Sequence, residues 1–144
     1  MATRTVSGTP RLAHPFFIGA GGALLMAALF TDFMYRSNSL IQWSNFSTWL
    51  ILAGLVLALA SVIVLAIEVV LGRTGPISWF DFILLAVAVV LSIFNELVHT
   101  RDAWTTVVPT GIILSAIVFV LLLIAGLRGW SVTAARGANR GDSK

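Results

Sequence analysis

Asp32, Asn95, His99 and Arg101 bring an acid, an amide, a base and a fixed cation to one expected depth in this 144-residue chain. A carboxylate withdrawn from water is unfavourable unless a cation or a hydrogen-bond donor faces it. Arg101 or a protonated His99 can supply the charge and Asn95 can donate a hydrogen bond, so the four residues are expected to form a polar cluster. Arg36, four residues beyond Asp32, is the rival partner. The alternative to a cluster is that each group meets surface water by itself. Ser92, Asn95 and His99 follow one another at spacings of three and four, which places them on one helix face.

The remaining chemistry-bearing groups promise less. His14 stands before Pro15 at a helix start and is expected to be a solvated histidine at the membrane surface. His14 and His99 fall at opposite membrane faces, so they cannot both ligate one haem iron in a monomer. His99 with Met34 is the conceivable axial pair, although Met34 serves equally well in packing. Glu68 and Asp81 lie within about two turns of helix ends, where a carboxylate can reach headgroup water or Arg73, and ionisable groups deeper in a bilayer would be functional candidates. No phosphate-cradling loop, metal-binding histidine pair or Ser/His/Asp arrangement is present. With no cysteine, disulfides, thiolate metal sites, iron-sulfur clusters and covalent c-type haem are excluded. No catalytic residue, no cofactor and no metal is assigned, and an enzyme is not expected.

The elements that must position these residues are apolar. The chain is 58% hydrophobic and 10% charged, against about half and a quarter for soluble domains. Four apolar runs, Pro15 to Tyr35, Phe46 to Leu71, Ile77 to Val98 and Trp104 to Leu127, are each close to the roughly 20 residues that cross a hydrocarbon core about 30 Å thick. Arg36-Ser37-Asn38-Ser39, Gly72-Arg73-Thr74-Gly75-Pro76 and Thr100-Arg101-Asp102 separate them, with Asp102 placed to cap the fourth helix. Pro109 then falls two turns into that helix, and a kink is expected there; the alternative is a helix that begins near Val108, with Thr105 and Thr106 in a capping turn and Pro109 in the tolerated first turn. The fold class is therefore all-α: a polytopic membrane protein with four transmembrane helices in an up-down bundle. Residues 1–14 form an N-terminal segment, 15–130 the membrane domain and 131–144 a flexible tail.

Seven basic residues, Arg4, Arg11, Arg73, Arg128, Arg136, Arg140 and Lys144, share the face of both termini, and only Arg36 and Arg101 lie opposite. By the positive-inside rule both termini are cytoplasmic. Trp43, Trp49 and Trp104 mark one interface and Trp79 and Trp130 the other, as an aromatic belt. Small residues four apart, Gly19/Ala23, Gly54/Ala58 and Gly111/Ser115, favour close helix approach within the bundle. Across the middle of the spans the only hydroxyls are Ser61, Ser92 and Ser115 and there is no charge, too little for an ion or proton relay.

The string from Asn95 to Gly111, NELVHTRDAWTTVVPTG, together with His14-Pro15 and Thr31-Asp32, resembles the domain of unknown function 2231 family, small bacterial membrane proteins of about four helices. The resemblance covers residues 8 to 137. The family opens with two His-Pro pairs, and here Arg11-Leu12 replaces the first. After Gly129-Trp130 the family's Tyr-Arg-His-Gly is replaced by Ala134-Ala135-Arg136-Gly137, so a histidine cluster that could serve a metal or haem in family members is reduced to His14. The resemblance implies an inner-membrane protein without an assigned activity, sometimes encoded near periplasmic sugar dehydrogenases. The expected role is a non-catalytic membrane subunit or anchor for a periplasmic partner such as a redox enzyme. A haem-binding electron carrier and a small-solute transporter are the alternatives. The partners expected are the lipid bilayer and a periplasmic or membrane protein, with no nucleic acid.

Overall fold

The computed structural model describes residues 11–100 and 107–136. In it α1 spans His14–Asn38, α2 Ile41–Val70 and α3 Trp79–His99; a π-helical turn, Val107–Gly111, leads into α4, Ile112–Leu127. Four of these stretches are long and apolar enough to cross a membrane, the last counted from Pro109 to Leu127. The bundle face where α1 starts and α4 ends is called the near face below, and the opposite one the far face. Residues 101–106, and with them the start expected for the fourth helix at Asp102, lie outside the described residues. Pro109 itself sits in the widened π turn, where a missing backbone N–H removes no regular α-helical bond.

Local sequence explains the helix ends. Pro15 occupies the first turn of α1, where no backbone N–H is needed. Ser39 takes a left-handed conformation (φ 55°) and its N–H bonds the Tyr35 carbonyl at 2.7 Å, so α1 turns into α2 within two residues. Both near-face C-termini close in the same way. Gly72 is left-handed (φ 65°), with Arg73 N–H on Glu68 O and Gly72 N–H on Val69 O, and Gly129 (φ 98°) repeats this with Trp130 N–H on Ala125 O and Gly129 N–H on Gly126 O. These are Schellman closures, which the sequence provides by placing glycine just past each helix. Two short strands follow them, β1 at Thr74–Ile77 and β2 at Thr133–Ala135, paired antiparallel across the near face. Residues 131–136, which composition assigns to a flexible tail, are therefore tied down by pairing with the second loop.

The bundle is built inside out, as lipid demands. Its small apolar core, Leu25, Ala28, Ile51, Ala88, Val118 and Leu122, draws on all four helices. Large apolar side chains such as Phe16, Leu59, Val70, Phe94 and Leu127 point outward, whereas His14, Asp32, Ser47, Asn95, His99 and Ser115 are buried. On α2 the buried residues Ser44, Ser47, Ile51, Gly54, Ser61 and Glu68 recur at threes, fours and sevens, a mostly small-and-polar stripe on a helix that is otherwise apolar beyond Thr48. α1 and α2 come into close backbone contact at Gly21 and Gly54, where a Cβ on either would come to 3.0 Å from the other's carbonyl oxygen. That contact uses Gly54, one of the expected small residues.

Trp130 departs from the expected aromatic belt. Its ring lies against Gly19, Gly22 and Gly126, and a Cβ on Gly22 would sit only 2.6 Å from it. The left-handed turn at Gly129 folds Trp130 back over the end of α4, so the indole seals α1 against α4. Trp49 and Trp79 remain outward-facing, about two-thirds exposed.

Candidate functional site

At the far face one carboxylate joins all four helices. Asp32 on α1 accepts from Ser47 Oγ of α2 and from Ser115 Oγ of α4 at 2.5 Å, and its Oδ1 meets His99 Nε2 of α3 at 2.9 Å. Asn95 Nδ2 donates to Ser115 Oγ at 2.7 Å, so it reaches Asp32 through that hydroxyl. His99 Nδ1 faces the Asn95 backbone carbonyl at 2.9 Å, and Thr31 Oγ1 reaches Ser47 Oγ at 3.1 Å. Asp32 is fully buried, Asn95 and His99 nearly so. Three of the four residues expected in the cluster thus come together. Arg101 lies outside the described residues, and the rival Arg36 is exposed.

Each position follows from helix geometry. Gly111 leaves room for the imidazole, since a Cβ there would be 2.9 Å from His99 Cε1. Ser115, one turn later, presents its hydroxyl to Asp32. The Gly111/Ser115 pair, read in the sequence as a packing strip, is in fact the wall of this site. Thr31 stood out only in the Thr31-Asp32 pair of the resemblance and Ser47 not at all, but Ser47 belongs to the inward stripe of α2, which marks the face that must meet other helices. Glu96 was also passed over. Its Oε2 is buried without a hydrogen-bond partner, as is Asn95 Oδ1, and it interacts electrostatically with His99 three residues on.

A second polar knot closes the near face and corrects the expectation for His14. Instead of standing in headgroup water it is fully buried, because α1 starts beneath the segment that follows α4. His14 Nδ1 meets Glu68 Oε2 at 2.6 Å and Nε2 meets Ser131 Oγ at 3.1 Å. Glu68 Oε1 accepts the Ala13 N–H at 2.5 Å, so its partners are these and not Arg73. Thr133 Oγ1 ties the same segment to the Gly75 carbonyl at 2.9 Å. Asp81 pairs with Arg128 through two bonds, one of them Nη2 to Oδ2 at 3.1 Å, and accepts from Ser78 Oγ at 2.5 Å. Arg128 also lies over the Phe80 ring at 4.8 Å.

His14 and Asp32 are 18 residues apart on α1, five turns and about 27 Å, so one helix face carries both knots. Between them Ser61 and Ser92 bond back to carbonyls of their own helices, Ala58 and Ala88. No hydrogen-bonded chain connects the two ends among the described residues. Met34, the conceivable haem partner of His99, is half-buried, and both ring nitrogens of His99 are already engaged. No group of three or more metal-ligating side chains occurs among the described residues.

Four membrane-spanning helices with their polar residues turned inward and knotted at both ends define a compact helical membrane protein. Residues 11–140 match the family described as predicted membrane protein, domain of unknown function 2231, and the chain belongs to that family. No match is found among curated proteins or among solved structures.

Proposed function

We propose that the chain is a non-catalytic membrane subunit or anchor of the bacterial inner membrane, with cytoplasmic termini, that holds a periplasmic partner such as a redox enzyme. The observation that carries this reading is the use of Asp32: its carboxylate binds groups on the three other helices and leaves no open position for a substrate. His14 and Glu68 are consumed in the same way at the other face. Chemistry-bearing side chains spent on joining helices suit a rigid platform better than an active site or a pathway.

The far-face cluster is sealed, so a partner there would meet the exposed turn at residues 36–42, where Leu40 and Ile41 are each about half exposed. The test is cross-linking in native membranes followed by purification of the full chain in mild detergent. One stoichiometric companion is expected, lost when Leu40 and Ile41 are both replaced by Asp while the bundle stays folded. A purified chain with a haem absorbance band, or one that conducts a solute in liposomes, would overturn the reading.

A further inference from the structure

Hydrogen-bond direction fixes more about the far-face cluster than its distances do. A backbone carbonyl can only accept, so His99 Nδ1, facing Asn95 O at 2.9 Å, carries a proton. Nε2 faces Asp32 Oδ1 at 2.9 Å, again an acceptor when Asp32 is ionised. Ser115 has one proton, and its 2.5 Å bond to Asp32 Oδ2 directs that proton to the carboxylate, which leaves its lone pair for Asn95 Nδ2. Ser47 likewise donates to Asp32. Among the described residues, each group hydrogen-bonded to the pair is thus a donor toward Asp32 or an acceptor from His99, and the contact between Nε2 and Oδ1 makes sense only with a proton in it.

We propose that the far-face cluster is a proton-binding site in which Asp32 and His99 share one proton, so that the four-helix junction is closed when the proton is bound. With the proton, on either atom, the pair has no net charge. Without it, a negative charge is left buried at the meeting point of four helices, where nothing described from α2 or α4 can neutralise it: those helices contribute Ser47 and Ser115. Among the described residues the other ionisable groups nearby are Glu96, on α3 beside His99, Tyr35, buried on α1 one turn beyond Asp32, and Arg36, on α1 and turned to the surface; Arg101 lies outside the described residues. In the unfolded chain above about pH 6.5 the imidazole is neutral and the carboxylate ionised. The folded state therefore binds one more proton than the unfolded one. Rising pH works against folding, about tenfold in the equilibrium constant per pH unit per proton, until the proton leaves.

The proposal stands apart from the subunit reading and is tested on the full chain by reversible unfolding in mixed detergent micelles between pH 6 and 9. Asp32→Asn imitates the proton-loaded acid. Its amide can donate to a neutral His99 Nε2 and its carbonyl can accept from Ser115, while Ser47 turns to Ala28 O, already 3.1 Å away. The wild type should exceed Asp32→Asn by one proton in the pH dependence of its unfolding. The near-face pair of His14 and Glu68 contributes equally to both and cancels in the difference. Glu96→Gln should keep the wild-type slope. Equal slopes in wild type and Asp32→Asn would overturn the proposal, and so would a slope lost in Glu96→Gln but kept in Asp32→Asn. If Asp32→Asn fails to fold, nitrogen NMR of the wild-type histidines decides, with His99 identified by the loss of the other signal in His14→Gln. At pH 8 a protonated Nδ1 and a hydrogen-bonded Nε2 are expected, and an Nε2 with neither proton nor hydrogen bond would exclude a shared proton.

Discussion

Asp32 is one side chain whose removal strands donors on three helices at once. Breaking a buried, hydrogen-bonded ion pair by deleting one partner costs about 3–5 kcal/mol, so Asp32→Ala is expected to destabilise the bundle by that order. Single interhelical hydrogen bonds within membranes average only about 0.6 kcal/mol, and Ser47→Ala or Ser115→Ala, each of which removes two such bonds, should cost about 1 kcal/mol. Asp81→Asn should cost less than about 1 kcal/mol, because Arg128, whose side chain is 46% exposed, lets solvent screen the pair. Unfolding of the four variants in mixed micelles checks the ranking. A loss at Asp81 as large as at Asp32 would mean that the near-face ion pair carries the structure as much as the far-face carboxylate does.

At the scale of the element, the junction of α1 and α4 depends on shape more than on charge. Trp130 fits because Gly19, Gly22 and Gly126 leave a flat bed for its ring. Gly22→Ala introduces a methyl 2.6 Å from Trp130, and overpacking of this kind costs about 1–3 kcal/mol. Trp130→Phe removes the outer ring that the methyl would strike. The double variant should therefore be more stable than the two separate losses predict, a coupling that a double-mutant cycle reads directly. Strict additivity would show that the ring leaves its bed at no cost. The Schellman turns at Gly72 and Gly129 belong to the same scale, since they set the directions in which β1 and β2 leave their helices and meet.

For the whole molecule, charge decides orientation and length decides fit. α2, with 30 residues, is about 45 Å long, more than a 30 Å core requires, so it must tilt or project beyond the hydrocarbon. The seven-to-two distribution of basic residues predicts that alkaline phosphatase fused after Lys144 is inactive and that a fluorescent protein there is bright. Additional lysines beside Arg36 should reduce that contrast. Active phosphatase at Lys144 would invert the topology and place the Asp32 junction on the cytoplasmic side.

Hydrophobic runs, turn residues and the small-and-polar stripes were legible in the sequence because they answer to the bilayer, which acts on every segment separately. Four spans and the inward turn of Asp32, Asn95 and His99 follow from that local rule, while the second helix starts at Ile41, five residues before its apolar run. His14 and Trp130 were misplaced for the opposite reason: each looks interfacial by its distance from a helix end, and only the packing of β2, Ser131 and the three glycines around it decides that it is covered. Ser47 and Glu96 carry no distinctive spacing individually and Ser115 reads only as a small packing residue, so their roles appear only when the packed helices bring them to Asp32 and His99. A membrane segment's burial in lipid is a property of its composition, which the sequence holds by itself; the partner of a buried polar group is a property of which helices touch and at what rotation, which only the tertiary structure decides.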